Sequence, residues 1–174
     1  MPTDVNWDEL RVALRLEMID GDPSGSAAAQ RALELILGEE TLRQSVDYYV
    51  AVRPARELVR SVLWLLRPWS AMTRCRELSQ LPNEIETRRS AVELLRVVAD
   101  ERALPWVSEY LDDADPGIQQ WGIGVLDQLL WSELVEPEEA EEVLERAACH
   151  ENEAVRDRVE FIRSYLRDRR ESRV

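Results

Sequence analysis

Residues 103–130 read ALPWVSEYLDDADPGIQQWGIGVLDQLL, and the reading of this stretch decides the fold. Pro105 and Pro116 each stand at the head of an apolar pattern of helical period. Proline suits a helix's first turn, because the N–H it lacks has no intrahelical partner there. Asp115 directly precedes Pro116, a cap-and-start pair. Two helices joined by a short acidic turn follow. No residues here alternate apolar and polar as a half-buried strand does.

The same punctuation recurs outward from this stretch. Asn6 precedes Trp7 and stands three residues before Glu9, the spacing of a capping box. Gly38 ends the apolar run Ala32, Leu33, Leu35, Ile36, Leu37 as a helix stop. Pro54 and Pro137 open further helical patterns. These signals predict ten helices, near 6–19, 26–37, 40–52, 54–67, 69–80, 84–99, 103–112, 116–131, 138–149 and 153–169. The loops between them are short and no low-complexity linker divides the chain, so residues 1–174 are expected to form one domain. Asp20–Gly25 is its most flexible-looking internal piece, and the tail from Arg169 to Val174 is expected to fray.

The second helix of each presumed pair follows one register. Ala55, Arg56, Val59, Val62, Leu63 and Leu66 align with Thr87, Arg88, Ala91, Leu94, Leu95 and Val98. The next copy is Ile118, Gln119, Gly122, Val125, Leu126 and Leu129, and the last is Val155, Arg156, Val159, Ile162, Arg163 and Leu166. Each supplies an apolar stripe, a long polar residue at its second position, and a small or β-branched residue three further on. This pattern resembles the second helix of a HEAT repeat, best over Ala103–Leu130, more loosely over 40–169, and least over 1–39. The spacing is shorter than the ~40–47 residues of HEAT and armadillo units, closer to the compact HEAT-like repeats of bilin lyases and related bacterial proteins. The resemblance implies an all-α, right-handed α-solenoid of about five antiparallel helix pairs. One pair cannot bury its apolar face alone, so neighbours cover it. The helix at 153–169 then caps the stack, and Arg163 in place of an apolar residue suits an end. A non-repeating helical bundle is the competing architecture.

Composition narrows the partners. The chain has 35 acidic and 22 basic residues, every basic one an arginine, for a net charge of −13. That balance disfavours general affinity for nucleic acid or anionic membranes. No basic-then-apolar leader and no apolar run of about 20 residues is present, so a cytoplasmic protein is expected. Cys75 and Cys149 form no disulfide framework, and with one histidine they make no zinc signature. Cys75 shares helical spacing with Met72 and Leu78 and reads as core. His150 reads as an end-of-helix residue, favoured there as a cation. No cofactor or metal is expected.

The charge is unevenly placed. Residues 100–153 hold 16 acids and 2 arginines, a local charge of −14, whereas the rest holds 19 acids and 20 arginines. In a solenoid, contiguous sequence becomes contiguous surface, so Asp112, Asp113, Asp115, Glu138, Glu139 and Glu142 mark an acidic zone that would attract a basic protein. The bland alternative is a solubility feature. The repeat register places Trp64, Arg96 and Asp127 opposite the apolar stripe, with Gln120, Trp131, Glu160 and Phe161 nearby. By resemblance this side lines a concave surface, where aromatics make binding anchors; packing of Trp64 and Trp131 between repeats is the alternative. In Trp121-Gly122-Ile123-Gly124, a Gly-x-Gly inside a helix argues for close packing at Gly122; Gly124 projects more toward the open side beside Trp121, where packing is favoured over close approach of a ligand or partner.

Three functional expectations follow. The first is a non-catalytic protein-binding module for a basic partner, as an adaptor, an inhibitor or an immunity-type protein. The second is a nucleic-acid-binding or DNA-repair protein, resembling HEAT-like DNA glycosylases, through Arg53, Arg56, Arg60, Arg67, Trp69, Arg74 and Arg76. The third, by resemblance alone, is a bilin-lyase-like enzyme; no residue marks a chromophore site.

Overall fold

The computed structural model describes residues 5–17 and 25–172. They form ten α-helices and, among the described residues, no strand. In chain order these are α1 (Trp7–Glu17), α2 (Gly25–Leu37), α3 (Glu39–Val50), α4 (Arg56–Leu66), α5 (Trp69–Ser79), α6 (Ile85–Val98), α7 (Leu104–Leu111), α8 (Pro116–Trp131), α9 (Pro137–Ala148) and α10 (Glu153–Ser172), with a 3-10 turn at Glu101–Ala103. The chain divides into two compact units, one up to Arg74 and one from Cys75 on, the boundary falling within α5.

The expected caps have physical counterparts. The Glu9 N–H donates to Asn6 Oδ1 at 3.2 Å. Asp115 Oδ1 accepts from the N–H groups of Gly117 and Ile118 at 3.0 Å each, with Pro116 opening α8. Gly38 stands between α2 and α3 at φ +79°, a backbone conformation that side chains other than glycine's rarely tolerate. Most of the Asp20–Gly25 segment lies outside the described residues, with Gly25 opening α2. Up to Ser172 the C-terminal tail departs from expectation, while Arg173 and Val174 lie outside the described residues. Helix α10 continues to Ser172, held by Arg169, which donates to the Leu130 and Trp131 carbonyls at 3.2 and 2.8 Å. Those carbonyls lie in the last turn of α8, where acceptors fall outside the helical ladder; the Leu130 carbonyl also accepts from the Glu133 N–H at 3.2 Å.

In the first unit α2 packs on α1, α3 and α4, and α3 packs on α4. Its core includes Leu42, Val46, Tyr49 and Leu63. In the second unit α6 packs on α8, α8 on α10, and α7 on α9, while α7–α8 and α9–α10 pack as pairs. The register found in the sequence is the buried stripe here: Ala91, Leu94, Leu95 and Val98 in α6, Ile118, Val125, Leu126 and Leu129 in α8, and Val155, Val159 and Ile162 in α10. Gly122 allows the tightest approach. A Cβ built on it would stand 2.5 Å from Tyr110 Cβ, so α7 and α8 meet at that site only because no side chain intervenes. Gly124 is buried and packed, the reading favoured for it from sequence: the stem of Arg96 lies over it, Cδ 3.1 Å from where a Cβ would be.

Candidate functional site

The acidic segment does not present all its carboxylates to solvent. Asp113 accepts from Arg88 and from the Asp115 N–H. Asp115, besides capping α8, takes a two-point hydrogen bond from Arg89 at 2.9 and 2.7 Å, and that guanidinium holds its carboxyl below the usual carboxylate range. Both aspartates are largely covered, so they act as structural clamps between α6 and the α7–α8 turn. Glu139 closes the capping box of α9 by accepting from the Glu136 N–H at 3.0 Å. Glu138 meets Arg170 at 3.5 Å, both highly exposed, a screened pair of little energetic weight.

What remains is a coherent acidic surface. Ala140, Leu144 and Ala147 bury one face of α9, while Glu138, Glu141, Glu142 and Glu145 stand exposed on the opposite one. Next to it runs an open groove of about 820 Å3 between the α7–α8 and α9–α10 turns. Asp112, Glu145 and Glu151 line it, against Arg146, along with Pro116, Cys149 and His150. Asp112 is well exposed and lies 3.3 Å from Arg146. His150 builds the groove wall. Its Nδ1 accepts from the Asn152 N–H at 3.0 Å, so Nε2 carries the proton given to the Leu111 carbonyl at 2.9 Å. The ring bridges that N–H and that carbonyl just past the end of α9, in the end-of-helix place expected from sequence. Cys75 is buried as expected, and Cys149 is exposed.

A second surface lies along α6, α8 and α10. Arg96 stacks over Trp121 at 5.2 Å. Asp127 takes a hydrogen bond from Arg158 at 3.1 Å, and its other oxygen is buried without a hydrogen-bond partner among the described residues. Burial pushes the Asp127 carboxyl above its ordinary range, against the pull of Arg158. Trp131 and Phe161 are each about half exposed, and each packs edge-on against the buried Tyr165, at 5.2 and 5.6 Å between ring centroids. Arg169 lies over Trp131 and Tyr165, and Arg158 over Phe161. Gln120 and Glu160 are exposed. Sequence reasoning found the two outer rings and missed Tyr165, Arg158 and Arg169, which join them. Their spacing along one helical flank, 158, 161, 165 and 169, was the legible signal. Trp64 is half exposed on α4 and belongs to the first unit.

The arginine-rich segment 53–76 offers less free charge than its composition suggests. Arg53 and Arg56 stack over Tyr48 and Tyr49, Arg60 pairs with Glu57 at 3.2 Å, and Arg74 pairs with Asp47 at 2.8 Å. Arg67 is the left-handed C-cap of α4, its N–H donating to the Leu63 carbonyl at 2.7 Å, and Trp69 is exposed. Arg76 pairs with Glu109 and lies over Trp106 and Tyr110. Among the described residues no group of His, Cys, Asp and Glu is arranged to hold a metal ion, and no helix is long and apolar enough to cross a membrane. No family model, curated protein or solved structure matches the chain.

Proposed function

We propose that this chain is a non-catalytic binding module, a right-handed HEAT-like α-solenoid in build, that docks a basic segment of a protein partner. The packing order of the second unit supports the build. Its second helices, α6, α8 and α10, touch in succession, while α7 touches α9, as stacked pairs require. One observation carries the docking site: the groove between the α7–α8 and α9–α10 turns is open, and Asp112, Glu145 and Glu151 outweigh Arg146 on its walls. The acidic face of α9 runs on from it through Glu142. Exposed carboxylates around a concavity draw in arginine and lysine and speed encounter. The half-exposed Trp131 and Phe161 would add apolar anchorage for a larger partner. Such a module acts in the cytoplasm as an adaptor, or as an inhibitor that covers a basic surface.

A fluorescein-labelled peptide alternating arginine and alanine tests the docking site by fluorescence anisotropy. Asp112→Asn, Glu145→Gln and Glu151→Gln together should weaken binding by about tenfold or more, the size of ~1.4 kcal/mol. Glu39→Gln, Glu40→Gln and Glu57→Gln change the net charge equally in the first unit and should alter it less than about twofold. Equal loss in both triple variants would reduce the interaction to general charge attraction and defeat the proposed site.

A further inference from the structure

The outer flank of α10 is unlike the flank it turns toward α8. A trough of about 590 Å3 runs between α9 and α10, with Pro137, Leu144 and Leu166 along its floor. A second hollow of about 170 Å3 continues it, sharing Pro137, Leu166 and Arg170. One wall is basic: Arg163, Arg167 and Arg170 stand at i, i+4 and i+7 on α10, with Glu160 at its far end. The other wall, on α9, is acidic through Glu141, with Glu138 at the mouth of the second hollow. Within the chain Glu141 only approaches Arg163, at 3.8 Å, and Glu138 approaches Arg170 at 3.5 Å. Arg167 is exposed and makes no ion pair among the described residues.

We infer that this trough is the contact by which two copies of the chain associate, through a two-fold axis running along it. Rotation about that axis keeps the height of each residue and exchanges the walls. The partner's α9 then lies over α10, bringing its Glu141 to Arg163 and Arg167 and its Glu138 to Arg170, while the reverse contacts form on the other side. A two-fold interface is self-complementary by construction, and these opposed walls satisfy that demand. An axis across the trough instead sets α9 against α9 and carboxylate against carboxylate, which charge rejects. The repeat register marks the same flank. Arg163 stands where Leu63, Leu95 and Leu126 are fully buried by neighbouring helices. This flank of α10 therefore lacks the apolar residue that its counterparts bury against a neighbour, and carries a charged seam suited to a second copy. Because the seam is small and ionic, the dimer is salt-sensitive.

Sedimentation equilibrium of the full chain tests this, with no basic ligand present, so its outcome is independent of the docking site above. The wild type should form dimers at about 100 µM in low salt, a weak association, and dissociate in about 0.5 M NaCl. Arg163→Glu, Arg167→Glu and Arg170→Glu together should give a monomer, and so should Glu138→Arg with Glu141→Arg. All these positions are exposed, and circular dichroism checks that both variants fold. Mixed one to one, the two variants should form a heterodimer, because one now has two acidic walls and the other two basic ones. A wild type that stays monomeric in low salt, or a mixture that stays monomeric, would overturn the inference.

Discussion

The two units carry the same register but cover it differently. At the fourth register position, Leu94, Val125 and Ile162 in the second unit are all fully buried, while Val62 in the first is 43 % exposed. Its neighbours on that side of α4, Leu58 and Leu65, are 67 % and 64 % exposed. Of the large apolar residues that stand exposed among the described residues, only Trp131 and Phe161 belong to the second unit. Charge divides the other way. The first unit holds 11 acids and 9 arginines, for −2; the second holds 24 acids and 13 arginines, for −11. A helical stripe is therefore a statement about what a helix can bury. Whether it is buried depends on neighbours, and in α4 the stripe is wider than the cover it receives within its unit.

Core truncation gives the largest expected contrast. Leu126→Ala removes a fully buried side chain of α8 and should cost about 2–5 kcal/mol in chemical denaturation. Leu65→Ala removes an equally large side chain from an open face and should cost less than about 0.5 kcal/mol. Gly122→Ala comes next. A methyl group gains about 1 kcal/mol in helix propensity, but here it meets Tyr110 at 2.5 Å. Forcing α7 from α8 costs about 1–3 kcal/mol in such packing, so the net change should be destabilising. A stabilised Gly122→Ala would show that the α7–α8 contact is looser than described.

Two aspartates of the second unit should respond to pH in opposite senses. Asp115 is held below the ordinary carboxylate range, so its contribution is present above that range and lost as pH falls through the lowered value. Asp115→Asn should destabilise at pH 7, by about 1 kcal/mol for a weakened cap, and the deficit should shrink on acidification below about pH 4. Asp127 is pushed above that range by burial, so its protonated form favours the fold, and that contribution is lost as pH rises through the raised value. Asp127→Asn should therefore gain on the wild type between pH 3 and pH 7. Denaturation midpoints across that span check both, and parallel curves for the two variants would contradict the assigned environments.

Much of the fold was legible because its signals are local. Asp115–Pro116, Asn6 with Glu9, and Gly38 each mark a helix end through atoms within three residues. The stripes of α6, α8 and α10 follow from spacing alone, and Gly122 fell at the register position where small residues meet a neighbour. The surfaces were legible only in part, because ion pairing joins residues far apart in sequence. Arg88 reaches Asp113 across 25 residues and Arg158 reaches Asp127 across 31. A run of carboxylates therefore looks barer in sequence than in the fold. Glu145 and Glu151 were missed for the converse reason: scattered singly, they meet only where two turns converge. The open stripe of α4 left no local mark, since Leu58, Val62 and Leu65 differ from buried residues only in lacking cover.

Placing a charge at one register position in both units tests that contrast most directly. Val125→Asp buries an unpaired carboxylate among α8's fully covered neighbours and should unfold the second unit or cost more than about 4 kcal/mol. Val62→Asp puts the same group on the open face of α4 and should shift stability by no more than about 0.5 kcal/mol. If Val62→Asp instead lost several kcal/mol, α4 would be covered in solution and the difference between the units would fail.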